Sequence, residues 1–137
     1  MQEQVIDTKI WKRWVLSLKN KNYYTYINNK TTPIVFIHGV GLDRNMWTPQ
    51  INFFRKYSTL TYDLLGHGKT PFNEDKIIIE DYTHQLISLI EDLKISKLHL
   101  VGFSIGSLIA MDFAANFNNK LSSLTLIATT YKRNQKQ

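Results

Sequence analysis

Short apolar runs alternate along this chain with longer stretches whose apolar residues recur at helical spacing. Four runs predict strands and the three stretches between them predict helices: strands 34–37, 59–62, 98–101 and 124–128, and helices 45–57, 80–93 and 105–117. Unbroken apolar runs of this length are typical of strands covered on both faces. A strict alternation of strand and helix requires right-handed crossovers and a parallel sheet. The predicted fold class is therefore α/β, with helices on both faces of a mostly parallel sheet.

The region before these strands predicts an antiparallel hairpin. Residues 11–18 and 23–27 are rich in strand-forming residues, and the polar segment 19–22 between them has the length of a hairpin loop. Pro49 falls in the first turn of the helix 45–57, where proline is tolerated. No repeat, low-complexity tract or linker divides the chain, so we expect a single domain over residues 1–137.

Composition restricts the cofactors and partners. The chain has no cysteine, which excludes disulfides and thiolate metal sites and suits a reducing cytoplasm. Four histidines are scattered without the spacing of a zinc site, so neither a metal nor a cofactor is expected: His38, His67, His84 and His99. The net charge of +6 comes from basic residues spread from Lys9 to Lys136 rather than gathered on one stripe, so nucleic acid is not an expected partner.

The sequence also shows no membrane or export signal. No run of about 18 apolar residues is present, and residues 1–10 are acidic and polar where a secretory signal needs apolar residues. We therefore expect a cytoplasmic protein that is neither exported nor inserted in a membrane.

Residues 102–106 have the pattern G-x-S-x-G, directly after an apolar strand and at the start of a helix. A strand that turns sharply into a helix strains the backbone, so the residues two before and two after the turn must be small. Gly102 and Gly106 meet this requirement. Ser104 would then stand clear of the sheet at the positive end of a helix dipole, which stabilises negative charge. The pattern predicts a serine nucleophile, and the alternative is a serine that only caps the helix.

A glycine-containing loop follows the strand 34–37, with the sequence His38-Gly39-Val40-Gly41. Glycines at the carboxyl end of a central strand let the backbone approach a ligand, and ligands of open α/β sheets bind at that edge. The loop therefore predicts backbone N–H groups that face a substrate. The alternative is an ordinary tight turn from strand to helix.

A second loop follows the strand 59–62 and contains an acid, a histidine and two glycines: Asp63, Gly66, His67 and Gly68. Glycine permits backbone angles that other residues avoid, so this segment predicts structural scaffolding. His67 could be a general base, but a histidine between glycines in a turn is more typical of a residue that holds a loop by hydrogen bonds.

Together, the segments HGVG, DLLGHG and GFSIGS resemble the α/β-hydrolase superfamily in their order and separations. Residues 38–47 are similar to the corresponding part of 3-oxoadipate enol-lactonase-like hydrolases, within the esterase and lactonase branch. The resemblance extends from about Tyr23 to Thr130. It implies an α/β-hydrolase core truncated after its sixth strand, and a serine hydrolase that acts on a carboxylic ester or a lactone.

Carried over position by position, the resemblance implies that Ser104 is the nucleophile and that the backbone N–H groups of Val40 and Ile105 form the oxyanion hole. The chain departs from the family at Ser107, where glycine is frequent, and at Asn118, where proline is common. Serine is small enough to keep the helix close, and Asn118 affects only the helix end. A haloalkane dehalogenase is disfavoured, because that relative needs aspartate at the position of Ser104.

The other triad residues do not follow the expected order. In this fold the acid and then the histidine come after the nucleophile, yet beyond Ser104 the sequence offers Asp112 and no histidine. Asp112 would lie about 12 Å along the helix axis from Ser104, at about 1.5 Å per residue, and so cannot serve. Thr129 and Thr130 occupy the other usual place of the acid. We therefore expect the N-terminal half of a hydrolase, nearly inert and poorly folded by itself, with the strand 124–128 as an exposed edge.

Three functions stay open at this point. The chain is the N-terminal part of a serine hydrolase, a non-catalytic ligand-binding domain, or one half of a split enzyme whose acid and base come from a complementing C-terminal half. The expected partners are a small ester or lactone and such a half, with no nucleic acid and no membrane.

Overall fold

A computed structural model describes residues 3–7 and 21–129 of the chain, and these residues form a six-stranded sheet. Its strands are β1 (Glu3–Asp7), β2 (Lys21–Ile27), β3 (Ile34–Ile37), β4 (Thr59–Tyr62), β5 (Leu98–Phe103) and β6 (Leu121–Ile127). They lie side by side in the order β1-β2-β4-β3-β5-β6. The pairs β4–β3, β3–β5 and β5–β6 are parallel, and the pairs β1–β2 and β2–β4 are antiparallel.

Three α-helices connect the parallel strands: α1 (Thr48–Phe53), α2 (Ile79–Asp92) and α3 (Ile105–Phe117). A 3-10 turn, Arg44–Trp47, leads into α1, and a second one, Asn118–Lys120, follows α3. The carboxylate of Asp81 accepts a 2.7 Å hydrogen bond from the N–H of Ile78, which satisfies a free donor at the start of α2. Pro49 lies in the first turn of α1, where its missing N–H costs nothing.

The predicted α/β class and the mostly parallel sheet are confirmed. The strand 59–62 and the helix 105–117 have the predicted bounds, whereas β5 continues to Phe103 and β6 already begins at Leu121. The helix predicted over 45–57 is too long. It begins as a 3-10 turn and α1 ends at Phe53, because the chain turns at Phe54, whose carbonyl accepts the N–H of Tyr57 at 2.8 Å.

The N-terminal antiparallel pair is present, but its strands differ from the predicted hairpin. The partner of β2 is β1, with Val5 opposite Tyr23, and residues 11–18 lie outside the described part of the chain. Lys21 and Asn22, predicted as loop, belong to β2. Asn22 is buried there and its side-chain oxygen accepts a 3.0 Å hydrogen bond from Gln85, a long-range contact that outweighs the loop preference of asparagine.

The two faces of the sheet are covered unequally. The face that packs against α2 and α3, here called the covered face, contains the main core, including Val35, Ile37, Leu98 and Leu100. The opposite face, here called the open face, carries α1 and a small cluster of Phe36, Trp47 and Ile51. The difference in burial is visible along β5, whose residues are alternately buried on the covered face and half-buried on the open face.

Candidate active site

Ser104 lies at the turn from β5 into α3, at the carboxyl edge of the sheet. Its backbone has φ 55° and ψ −117°, a conformation that non-glycine residues rarely adopt. Its side chain is exposed and makes no hydrogen bond that caps α3. A capping serine has extended backbone angles and accepts a bond from the helix, so this geometry differs from the simple helix cap considered above.

Gly102 and Gly106 allow this turn because each is in direct contact with backbone. A Cβ on Gly102 would collide with the carbonyl group of Gly106, and a Cβ on Gly106 would collide with the carbonyl oxygen of Ile37. The first turn of α3 therefore packs against the end of β5 on one side and the end of β3 on the other. Backbone atoms cannot move aside as a flexible side chain can, so any larger residue would displace Ser104.

The turn is also tied to the end of β6. The carbonyl oxygen of Ile127 accepts the N–H of Ser104 at 3.0 Å and the hydroxyl of Ser107 at 2.8 Å. The same buried hydroxyl lies 3.1 Å from the carbonyl oxygen of Gly102. Ser107, which the sequence marked only as a small residue, thus links β5, α3 and β6 by hydrogen bonds that glycine could not make.

The loop after β3 lies beside Ser104. The N–H of Leu42 donates to the carbonyl of Gly39 at 3.2 Å and closes a turn around Val40 and Gly41. Gly41 has φ +73°, which favours glycine, although a Cβ there would meet no atom within 4 Å. Gly39 packs against the ring of Phe103, the residue directly before Ser104. Val40 is 65% exposed, so it projects from the loop on the side that is open to solvent.

Ile105 is the first residue of α3, and the first N–H groups of a helix have no partner within it. The N–H of Val40 is likewise not used by the turn that its loop closes. Both donors belong to segments in contact with each other, since Gly106 packs against the backbone of residues 37 and 38. The arrangement can present two backbone donors and a hydroxyl at one edge of the sheet.

His38 is fully buried and uses both ring nitrogens. Its Nε2 accepts the N–H of Leu64 at 2.9 Å, so the proton is on Nδ1, which donates to the carbonyl of Gly39 at 2.8 Å. Burial lowers the pKa of His38, because the charged ring would lose its hydration. His38 is therefore a neutral brace between the loops after β3 and β4.

Asp63 also joins the loop after β3 to the loop after β4. Its carboxylate accepts the side chain of Arg44 at 2.7 Å and the N–H groups of Arg44 and Lys69 at 2.9 Å each. Asp63 is fully buried and Arg44 nearly so. Gly68 lies so close that a Cβ there would collide with the Asp63 carboxylate. A buried ion pair is favourable only when further hydrogen bonds satisfy its charges, and the two N–H groups supply such bonds to the Asp63 carboxylate.

His67 and Gly66 belong to the turn after β4. The N–H of His67 donates to the carbonyl of Leu64 at 2.9 Å, and that of Gly66 to Thr70 at 3.0 Å. The His67 ring donates from Nδ1 to the carbonyl of Leu65 at 3.0 Å and lies 5.2 Å from the ring of His38. These contacts fit the scaffolding role predicted for this segment.

Arg44 and Gln85 are structural partners that the motifs did not indicate. Gln85, on α2, donates to the carbonyl of Asp63 at 2.9 Å and accepts the N–H of Leu65 at 3.0 Å. The only available signal was a polar residue on the apolar side of the predicted helix, because Gln85 lies three residues after Tyr82 and four before Leu89.

Asp112 is engaged elsewhere. Its carboxylate accepts the hydroxyl of Thr83 at 2.6 Å and joins α3 to α2, away from the carboxyl edge of the sheet. Thr129 is exposed, and Thr130 lies outside the described residues. Within residues 3–7 and 21–129, no three His, Asp or Glu side chains are close enough to hold a metal ion. None of the described helices is long and apolar enough to span a bilayer.

Comparison with known proteins places this architecture in a family. The family described as alpha/beta hydrolase fold matches residues 32–136, and the chain belongs to it. The (E)-2-((N-methylformamido)methylene)succinate hydrolase of Acinetobacter baylyi is 29% identical over 115 residues, which are 83% of this chain and 44% of that hydrolase. The 3-oxoadipate enol-lactonase 1 of the same bacterium is 33% identical over 79 residues, 57% of this chain and 29% of the lactonase.

Among solved structures, the esterase EaEST from Exiguobacterium antarcticum is 27% identical, with a TM-score of 0.72 over 78% of this chain and 41% of the esterase. The predicted resemblance to the esterase and enol-lactonase branch is confirmed. The chain spans less than half the length of each of these relatives.

Proposed function

We propose that this chain supplies the nucleophile and the oxyanion hole of a serine hydrolase that acts on a carboxylic ester or a lactone. Ser104 is the nucleophile, and the backbone N–H groups of Val40 and Ile105 are the oxyanion donors. The observation that carries the proposal is the strained, exposed and uncapped Ser104 at the tip of the strand-to-helix turn. Strain of this kind persists only where the surrounding structure imposes it, and it is concentrated at functional sites.

The chemistry follows from the position of the hydroxyl. The Ser104 oxygen attacks the carbonyl carbon while its proton passes to a base, and the carbonyl oxygen becomes an anion held by the two N–H donors. The carbon–oxygen bond then breaks, the alcohol leaves with a proton, and water releases the acyl group from Ser104. In a lactone, the alcohol that leaves remains part of the same molecule.

The base and the acid are proposed to come from polypeptide that corresponds to the unmatched part of the relatives. His38 cannot serve, because both of its ring nitrogens are engaged and the ring is buried. Asp112 is bound to Thr83 on the far side of α3. Without a base and an acid, the chain should retain only the weak catalysis that an oxyanion hole and binding provide. The cytoplasmic location stays a prediction.

The turn can be tested without the missing base, because the chain contains no cysteine. Ser104→Cys introduces one thiol, which ionises by itself and whose alkylation rate follows the thiolate fraction. Helix N-termini and N–H donors lower thiol pKa, so we expect half-maximal alkylation by iodoacetamide well below the ordinary pH of about 8.5.

The matched control is Ser96→Cys, in the exposed loop before β5, and its alkylation midpoint should lie near the ordinary value. Equal midpoints for the two variants would show that no positive field acts at Ser104 and would refute the oxyanion hole. A far-UV circular dichroism spectrum of each variant checks that both are folded.

A further inference from the structure

Two strained residues lie at the two ends of one hydrogen bond. The N–H of Ser104 donates to the carbonyl oxygen of Ile127 at 3.0 Å, and the residue after this carbonyl group, Ala128, has φ 52°. Ser104 itself has φ 55°. The left-handed conformation is unfavourable for both serine and alanine, and it persists only where the surrounding structure imposes it. The bond between them suggests that one requirement accounts for both strained residues.

The backbone of Ala128 helps to set the direction of the Ile127 carbonyl group. The two residues share one peptide plane, and the φ angle of Ala128 turns that plane relative to the chain that follows. Ala128 is exposed, so packing of its methyl group in the core does not account for its conformation. The structural effect that remains is on the Ile127 carbonyl group, which is directed at the turn.

Ser107 closes a ring of hydrogen bonds with Ser104 and Ile127. Its hydroxyl donates to the Ile127 carbonyl oxygen at 2.8 Å, and its N–H donates to the carbonyl of Ser104 at 2.9 Å. Both backbone polar groups of Ser104 are therefore held by Ser107, one directly and one through the shared Ile127 oxygen. Ser107 is fully buried, so water does not compete for these bonds.

We propose that Ser107 and Ala128 are positioning residues for Ser104: they hold the Ile127 carbonyl oxygen on the turn and so fix the backbone from which the nucleophile projects. This inference deepens the proposed function and rests on it for the role of Ser104. A glycine at position 107 would leave room for the helix but could not donate the hydroxyl bond. The strained turn is thus stabilised by an interaction that the G-x-S-x-G pattern does not contain.

The Ser107 hydroxyl also affects the electrostatic field at Ser104. The Ile127 oxygen lies 3.0 Å from the Ser104 nitrogen, and a carbonyl oxygen at this distance opposes negative charge on the neighbouring side chain. A second donor on the same oxygen offsets part of its negative charge. Removal of the hydroxyl should therefore weaken the positive field and loosen the turn, and both changes disfavour an anion at position 104.

The first test uses the Ser104→Cys chain, in which the pH midpoint of alkylation by iodoacetamide reports the field at position 104. Adding Ser107→Ala removes one oxygen atom and should raise the midpoint by about half a pH unit or more. Ser107→Gly should raise the midpoint equally, although glycine lowers the stability of α3 further. Ser88→Ala is the matched control and should not change the midpoint, because Ser88 is a buried serine of α2 whose hydroxyl has no partner in the described part of the chain.

Ala128 is tested in the same Ser104→Cys chain by two residues that tolerate the left-handed conformation to opposite degrees. Ala128→Gly should keep the low midpoint, because glycine adopts a positive φ without strain. Ala128→Val should raise the midpoint, because a β-branched residue avoids this conformation. The side chain is exposed, so valine does not enter the core. Equal midpoints for the glycine and valine variants would remove Ala128 from the proposal.

Hydrogen exchange at the amide of Ser104 measures the positioning without any chemistry. In the otherwise unmodified chain, Ser107→Ala and Ala128→Val should each speed this exchange by about fivefold, because each loosens the bond to Ile127. The amides of β4 should keep their protection and serve as the internal control. Unchanged exchange at Ser104, or an equal loss of protection throughout the sheet, would overturn the positioning role.

The two readouts separate this inference from the proposed function. A low midpoint for Ser104→Cys that Ser107→Ala leaves in place would overturn the inference and leave the oxyanion hole standing. An ordinary midpoint for Ser104→Cys, together with faster exchange at residue 104 in the Ser107→Ala chain, would refute the oxyanion hole and retain the positioning role.

Discussion

Neighbouring residues of β5 point to opposite faces of the sheet and meet different surroundings. Leu98 and Leu100 are fully buried beneath α2 and α3, whereas His99 and Val101 are half-buried on the open face. The covering helices have 14 and 13 residues, but α1 has 6, too few to cover the sheet beyond β3 and β4. The covered face is thus a closed core, while the described residues leave much of the open face exposed.

The loops around the proposed site are held in place by contacts from the covered face. Gln85 of α2 binds the loop after β4, and the first turn of α3 packs against the end of β3. The geometry at Ser104 is therefore held in place although the open face of the sheet is sparsely covered. The comparison teaches that the helices on one face of the sheet are enough to position the turn at Ser104.

The largest expected change in stability distinguishes the covered face of the sheet from the open face. Leu100→Ala removes a fully buried side chain and should lower the free energy of unfolding by about 2–5 kcal/mol, from lost burial and the cavity left behind. Its neighbour Val101→Ala, half-buried on the open face, should cost about 1 kcal/mol or less. Urea unfolding followed by circular dichroism measures both, and equal losses would contradict the unequal cover.

A smaller effect should separate steric contact from backbone conformation. Gly106→Ala places a Cβ against the carbonyl oxygens of Ile37 and His38 on the covered side, and should cost about 3 kcal/mol. Gly41→Ala adds the same atom to open space and should cost only about 1 kcal/mol, from its φ of +73°. Both values come from urea unfolding. A larger loss for Gly41→Ala would show that α3 does not pack as described.

The next effect is a dependence of the stability on pH, which comes from the buried His38. Because burial lowers the pKa of His38 below its ordinary 6.5, the unfolded chain takes up this proton at a higher pH than the folded chain. The contribution of His38 is complete above pH 6.5 and is lost as the pH falls towards its lower folded pKa. Thermal unfolding from pH 8 to pH 5 should show a steeper loss of stability for the unmodified chain than for His38→Asn. Parallel curves for the two would exclude the neutral brace.

The smallest effect on stability should come from the open face. Thr125→Lys changes an exposed residue of β6 and should alter the free energy of unfolding by no more than about 0.5 kcal/mol. A lysine beside the free edge should nevertheless reduce self-association, because a charge opposes pairing of β6 with a second chain. Light scattering at increasing concentration measures this, with Ser96→Lys as the control. Equal scattering for both variants would show that the chains do not associate through β6.

Periodicity predicted the parallel strands and the helices because each has a continuous apolar pattern, as in 59–62 and 105–117. The prediction from periodicity was wrong for Lys21 and Asn22. Both belong to β2 because β1 pairs with them and Gln85 binds Asn22, and these partners are distant in the sequence. The same limit applies to the site. Ser104 and the flanking glycines were visible in a local pattern, whereas the bonds from Ser107 to Ile127 and from Asp63 to Arg44 span 20 and 19 residues.

By itself, the sequence determined the α/β class, the strand-to-helix turn at Ser104 and its family, because local patterns and small residues dictate these. Only the tertiary structure decided that His38 is a neutral brace, that Asp112 belongs to a helix contact, and that one face of the sheet is open. The physical reason is that burial and hydrogen-bond partners depend on which distant segments meet. A pattern along the chain does not contain that information.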